Sequence, residues 1–443
     1  MLLSIGMQAQ SFRSGYFLDN YTYGYRINPA QVNDRSFFGL GLSNIDLQNY
    51  TSFGVSDFLF PNAAGNGLVT GLNKSISSDT FLKGLRDNNY LCLDENINLL
   101  SLGISNGRQM HTFEINARAM ATLNVPKTLF SLVKKGSGNY DINGFMFDLS
   151  AMTDISYGFS TKLYVIDNLS VGGRLHLLLG LVNSNLQTTP GNIKFDNTGI
   201  AIEEGIEYNG SGLLSFDFKD GLPDLSTIGF KGSPFGGIGV TVDLGAEYKA
   251  DFGLDAMVSV TDLGAISWEN GLFASASAKL AYNGGNIGFE GGTIKADILD
   301  MFNDLSSMFE LKSGHGTRSM QMMPFNIQAG ARYYMPFYSG LSVGVFGTYH
   351  VAKLTSWYDL RAGATLTPAR ILSLTGNVGV NSFGGTWGAA LNLHLGPINL
   401  LVGADSYMGK SGKVFGVPIP LNGTMENVHF GLCFTFGKPD RND

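Results

Sequence analysis

Residues 427–437 read N-V-H-F-G-L-C-F-T-F-G. Side chains of an extended chain alternate faces with period two, so Phe430, Leu432, Phe434 and Phe436 share one side, and Gly431, Cys433 and Thr435 the other. One face is uniformly apolar; the other is small and polar. The run lies near the C-terminus, ends in an aromatic residue and is followed by a short polar stretch, residues 438–443. This pattern predicts the closing strand of a transmembrane antiparallel β-barrel whose greasy face meets lipid.

Composition agrees. Among 443 residues there are 59 Gly, 12% aromatic and 15% charged residues, against roughly 25% charged in an average soluble domain. No stretch approaches the ~20 consecutive apolar residues of a membrane helix, and even residues 175–182 are interrupted by His176 and Gly180. The formal charge of −7 offers no basic footprint, which excludes nucleic acid as a partner. Residues 1–10, MLLSIGMQAQ, have the form of the end of a secretory signal without its basic opening segment. Cleavage is expected after Ala9, leaving residues 1–9 as a signal remnant. Cys92 and Cys433 make neither a disulfide framework nor a metal set. Both are expected as free thiols, Cys433 in the lumen and Cys92 in a loop.

From Ser36 onward, segments of about ten alternating residues recur between turn signals. In residues 113–124 the outward set is Phe113, Ile115, Ala117, Ala119, Ala121 and Leu123, leaving Glu114, Asn116, Arg118, Met120, Thr122 and Asn124 on a wet face. So many long strands with a polar second face favour a lipid-facing exterior over a sandwich core. The closing strand must run towards the periplasm, which puts the short turns near Pro336, Pro368 and Gly396 on that side and the long 406–425 loop outside. The direct count is fifteen strands. Single-chain bacterial barrels have even numbers, so one strand within residues 249–292 is surplus; fourteen are expected, with sixteen as the alternative.

Four insertions interrupt the pattern, at residues 48–96, 126–143, 183–235 and 284–322. Ile294, Ile298, Phe302, Leu305 and Phe309 recur at helical spacing, predicting a helix over 293–311, and a shorter one is expected over 127–135. Both are read as loop cover. Trp268, Trp357, Tyr333, Tyr334 and Tyr358 are expected in the interfacial girdle.

Residues 11–35 are Tyr-rich, do not alternate cleanly and contain Asn28-Pro29-Ala30, where Pro29 removes a backbone donor and biases Asn28 away from helix. The run G-Y-F-L-D-N-Y-T-Y-G-Y-R-I-N-P-A, residues 15–30, resembles the opening of uncharacterised Bacteroidota-type outer-membrane barrel families. Its N-P-A more distantly resembles the N-terminal hatch of the FadL and PorV barrels. T-D-L-G-A-I-S-W, residues 261–268, resembles a recurrent structural element of the same families. The resemblance implies an outer-membrane barrel over residues 36–437, with residues 10–35 tucked into the lumen and a periplasmic tail at 438–443.

The faces assigned inward carry Glu114, Arg118, Lys162, Arg174, His176, Asp243, Glu247, Asp255, Arg332, Asp359, Arg361 and His394. Charges of both signs predict mutually neutralising filling rather than the one-signed ring of an ion-selective pore. The six histidines fall in no H-E-x-x-H or H-x-H arrangement, and G-x-S-x-G is absent, so the chain reads as non-enzymatic, without cofactor or metal. Two functions follow from the resemblance. One is a FadL-like conduit for small or hydrophobic molecules, gated by the N-terminal segment. The other is a PorV-like scaffold that holds a secreted or surface protein through its outer loops. Outer-membrane lipid is a partner in both.

Overall fold

Period-two alternation becomes a wall. The computed structural model describes residues 12–437 apart from residues 42, 63–64, 66, 137, 167, 189–191, 197–198, 213, 220–221, 231–234, 270–271, 284–309, 316–317, 353–355, 409–410, 415–416 and 421–422. Fourteen antiparallel strands close into one barrel. They are β1 (Ser36–Leu40, resumed as Asn44–Thr51), β2 (Asn88–Ser105), β3 (Gln109–Pro126), β4 (Met146–Lys162), β5 (Leu169–Thr188), β6 (Gly237–Lys249) and β7 (Leu254–Trp268). There follow β8 (Ser319–Met322, resumed as Phe325–Met335), β9 (Tyr338–Val351), β10 (Trp357–Ala369), β11 (Leu372–Asn381), β12 (Gly384–Leu395), β13 (Ile398–Tyr407) and β14 (Thr424–Phe436). Each pairs with its sequence neighbour. The barrel closes through β14 on β1, with Phe436 opposite Ser36 and Gly431 opposite Asn44.

On β14, Phe430, Leu432, Phe434 and Phe436 are exposed on the outer wall while Cys433 and Thr435 are buried inside. On β3 the whole set Glu114 to Asn124 predicted as inward is buried. The turns at 336–337, 370–371 and 396–397 share one end, and the long connections lie at the other. The surplus strand of the sequence count is Leu272–Asn283, which lies in the interval suspected. It pairs outside the barrel with Gly199–Gly212, itself paired to the outer end of β5, so these strands extend the wall beyond the membrane.

Several expectations are corrected. The first insertion spans 52–87, because residues 48–51 and 91–94 still pair with each other. Cys92 therefore lies on β2, buried and in no disulfide, rather than in a loop. Trp268 and Trp357 are not girdle residues; both are fully buried and face the lumen. Trp357 shares the parity of Asp359 and Arg361. Trp268 would face lipid but for a β-bulge: the β6–β7 register shifts after Val242, and Asp262 adopts φ 64°. That extra residue exchanges the two faces, turning Ile266 and Trp268 inward. Residues 261–268 are thus continuous strand. Tyr334 also points inward, its hydroxyl donating to Asp19 (3.0 Å), whereas Tyr358 is exposed.

The short helix α2 (Lys127–Lys135) forms as expected, beside α1 (Ser78–Lys83) in the first outer loop. Of the helix expected over 293–311, residues 310–311 belong to the strand Glu310–His315 and the remainder lies outside the described residues. Residues 1–9 and 438–443 also lie outside them. No described helix is long and apolar enough to cross a membrane. The crossing is made by strands, and the protein is an outer-membrane β-barrel.

Candidate functional site

The candidate site is the lumen, and the N-terminal segment fills it. Residues 12–35 form two short 3-10 turns, Arg13–Phe17 and Gly24–Arg26, joined by irregular chain. Lacking alternation, the segment cannot join the wall; rich in aromatics, it buries them inside it. Phe12, Phe17, Tyr21, Tyr23, Tyr25 and Ile27 pack against the wall residues Phe37, Met110, Met257, Phe346, Leu401 and Cys433. Among the described residues, the largest apolar core is therefore the contact between this plug and the inner wall.

A row of small residues receives the Asn28-Pro29-Ala30 turn. Ser160, Gly172, Gly245 and Ser259 stand opposite one another across β4, β5, β6 and β7. A Cβ on Gly172 would come within 2.0 Å of the Pro29 carbonyl oxygen, and one on Gly245 within 2.1 Å of Asn28 Oδ1. Glycine in these strands is what lets the plug backbone approach. The flanking serines donate to it, Ser160 Oγ to the Gln31 carbonyl (3.0 Å) and Ser259 Oγ to the Ile27 carbonyl (2.7 Å). Asn28 accepts from the Ala30 amide (3.1 Å) and donates to the Ala246 carbonyl (3.3 Å), fixing the turn to β6.

Three buried charge clusters pin the plug. In the first, Glu114 accepts from Arg26 (2.7 Å), from Tyr25 Oη (2.7 Å) and from Arg174. Arg174 also reaches Asp243 (3.2 Å), and His176 lies between Asp154 (Nδ1, 2.9 Å) and Asp243 (Nε2, 3.0 Å). Arg118 completes the cluster with Asp262 (2.7 Å) and Asp154 (3.5 Å). In the second, Arg361 bridges Asp359 (2.9 Å) and Asp405 (2.6 Å), while the plug's Arg13 lies 3.5 Å from Asp359 and 4.8 Å over the Trp357 ring. The Arg13 amide and Ser14 hydroxyl both donate to Asp405. In the third, Arg332 pairs with the plug's Asp19 (3.0 Å) and with Asp255 (3.6 Å). Each cluster mixes signs, so desolvated charge is compensated locally, and removing one partner leaves another buried and unpaired.

Nine of the twelve residues assigned inward from sequence enter these clusters: Glu114, Arg118, Arg174, His176 and Asp243 in the first, Asp359 and Arg361 in the second, Asp255 and Arg332 in the third. Glu247, beside Lys249 (3.6 Å), and His394, beside Asn399 Nδ2 (3.1 Å), line the mouth at the short-turn end instead. Lys162 shares the inward parity but is the last residue of β4 and is exposed beyond the lumen. Sequence reasoning missed Asp154 and Asp405, whose alternation on β4 and β13 was legible. It also missed Asp262, displaced by the bulge, and the plug's Arg13, Asp19 and Arg26, which carry no periodic signal. Among the described residues no three or more of His, Cys, Asp and Glu are grouped to hold a metal ion.

The plug divides the lumen. On its side towards the short turns lies a vestibule of about 1410 Å³, lined among others by Tyr16, Asp19, Glu247, Asp255, Arg332 and Tyr334. On its other side is a pocket of about 50 Å³ walled by the first charge cluster. Met120, Met152, Leu178, Ile266, Trp268 and Met323 form a separate buried apolar cluster on the inner wall.

Comparison with known proteins gives a family and a set of distant likenesses. The toluene transporter TbuX of Ralstonia pickettii is 9% identical, with 95% of this chain and 94% of that chain covered and a TM-score of 0.47. A FadL homologue of Pseudomonas aeruginosa is 11% identical over 98% of both chains, with a TM-score of 0.45. No curated protein matches the sequence. Residues 29–405 match a family of unknown function, DUF5723, and with most of its length covered the chain belongs to that family.

Proposed function

We propose that the protein is a non-enzymatic conduit for small hydrophobic or amphipathic molecules, with residues 12–35 as its gate. The observation that carries this reading is the plug itself. It is a non-strand segment inside the barrel that separates a large vestibule from the lumen above. A barrel serving only as a wall needs no such vestibule. The methionine-rich apolar cluster supports the choice of cargo, since flexible, polarizable side chains adapt to apolar ligands of varied shape. The test is uptake of a fluorescent apolar probe into proteoliposomes, comparing the parent with Gly172→Val, which displaces the plug turn. Faster uptake by the variant supports a gated conduit. Equal uptake by two folded barrels rejects it.

A second reading, a scaffold for a surface or secreted protein, is favoured by the outer cap. Phe53, Phe58, Phe60, Phe81, Leu82 and Phe130 pack into a cluster of their own between the first two outer loops. Leu68, Leu72 and Val133 remain exposed on those loops. Co-purification of a protein that is lost on Leu68→Ser/Leu72→Ser, together with absent probe uptake, would favour the scaffold.

A further inference from the structure

We infer that the barrier inside the lumen is a septum of two side chains, Tyr21 and Ile27, and that passage requires these to swing aside rather than the plug to leave. This inference rests on the conduit reading. Tyr21 and Ile27 are the residues that line both the vestibule and the pocket above it. Everywhere else the two cavities have different walls. The plug around them is held at three separated places, by Arg13 with Asp405 and Asp359, by Asp19 with Arg332, and by Arg26 with Glu114. Moving it as a body breaks all three buried clusters at once.

The backbone of the septum is also fixed. The Tyr21 carbonyl accepts from Gln31 Nε2 (2.9 Å) and the Gly24 amide (3.0 Å), and the Ile27 carbonyl accepts from Ser259 Oγ (2.7 Å). The two side chains are held far less. Ile27 is held by packing alone, and Tyr21 by packing, edge-on ring contacts with Phe12 (6.4 Å) and His429 (6.1 Å) and a 3.3 Å contact of its hydroxyl with His429 Nε2. A hydrogen-bonded backbone carrying side chains held mainly by packing has the form of a side-chain gate, and it limits what passes to small molecules. The pocket beyond is walled by Arg26, Glu114, Asp154, Arg174, His176 and Asp243. A molecule crossing the septum therefore passes this polar surface in either direction, which favours small amphipathic cargo over purely hydrocarbon cargo.

The test places a reporter in the pocket. Thr261 is small, buried and lines it. In a Cys92→Ser/Cys433→Ser background, Thr261→Cys is titrated with a small methanethiosulfonate reagent. Ile27→Gly and Tyr21→Ala should raise the labelling rate about tenfold, the change that losing one buried side chain brings to a local opening equilibrium. Ile27→Phe should lower it. Should the glycine variant disturb the plug, Ile27→Ala gives a graded version, and protease resistance of residues 12–35 reports whether the plug is still seated. Unchanged labelling with a seated plug overturns the septum, as does a parent that already labels as fast as the free thiol. Probe uptake measured in parallel separates the two ideas. Raised labelling without uptake keeps the septum as a barrier and rejects the conduit, whereas uptake without raised labelling keeps the conduit and rejects the septum.

Discussion

Wall and plug are stabilised in different ways. The wall repeats one device, the hydrogen-bonded antiparallel pair with alternating faces, through all fourteen strands. Its stability is spread over a closed ladder, and lipid-facing residues such as Leu175, Val345, Leu360 and Phe434 are interchangeable apolar surface. The plug relies on a few particular contacts. One turn rests on one pair of glycines, and three buried charge clusters tie it to particular strands. Distributed stability tolerates substitution; concentrated stability does not, so the consequence of a change depends more on which region it falls in than on how buried it is.

The largest effect expected is on closure. Truncation from Val428 removes the part of β14 that pairs with both β1 and β13, and should abolish the heat-modifiable, membrane-integrated form on electrophoresis. Next is Glu114→Ala, which leaves Arg26 and Arg174 buried without their shared carboxylate. A loss of about 3–5 kcal/mol is expected for breaking such a cluster, read from denaturant unfolding in detergent. Val345→Lys, in the middle of β9 on the lipid face, should cost about 2–4 kcal/mol in the same assay in lipid, through a charge at membrane depth. Gly172→Val should cost about 1–3 kcal/mol as overpacking against Pro29, and should expose residues 27–31 to protease while the wall stays intact. Lys162→Ala should stay within about 0.5 kcal/mol, as for surface substitutions away from special features. A Gly172→Val plug that stays protected, or a costly Lys162→Ala, would break the contrast between the regions.

How far the sequence was legible follows the same division. β3 and β14 could be read residue by residue because period two assigns every side chain to a face. Parity failed where the period itself changed. The bulge at Asp262 moves Trp268 from the lipid side to the lumen, and nothing in T-D-L-G-A-I-S-W marks a left-handed aspartate. The strand Leu272–Asn283 alternates like its neighbours but pairs in the outer sheet, and pairing is not written in alternation. Of the candidate site, the wall's half was largely legible, as Glu114, Arg174, His176 and Arg361 illustrate. The plug's half was not, because Arg13, Asp19 and Arg26 owe their roles to where an aperiodic segment happens to lie. The Asn28-Pro29-Ala30 turn was conspicuous in sequence, but its glycine seat on β5 and β6 became visible only when the strands were set side by side.

A gated conduit requires that the plug close an otherwise open barrel. The most direct measurement is conductance in planar bilayers of the full-length protein and of a variant lacking residues 12–35, each shown to be a folded, heat-modifiable barrel. A closed parent and a steadily conducting deletion variant are predicted. A folded deletion variant that conducts no more than the parent would contradict the account.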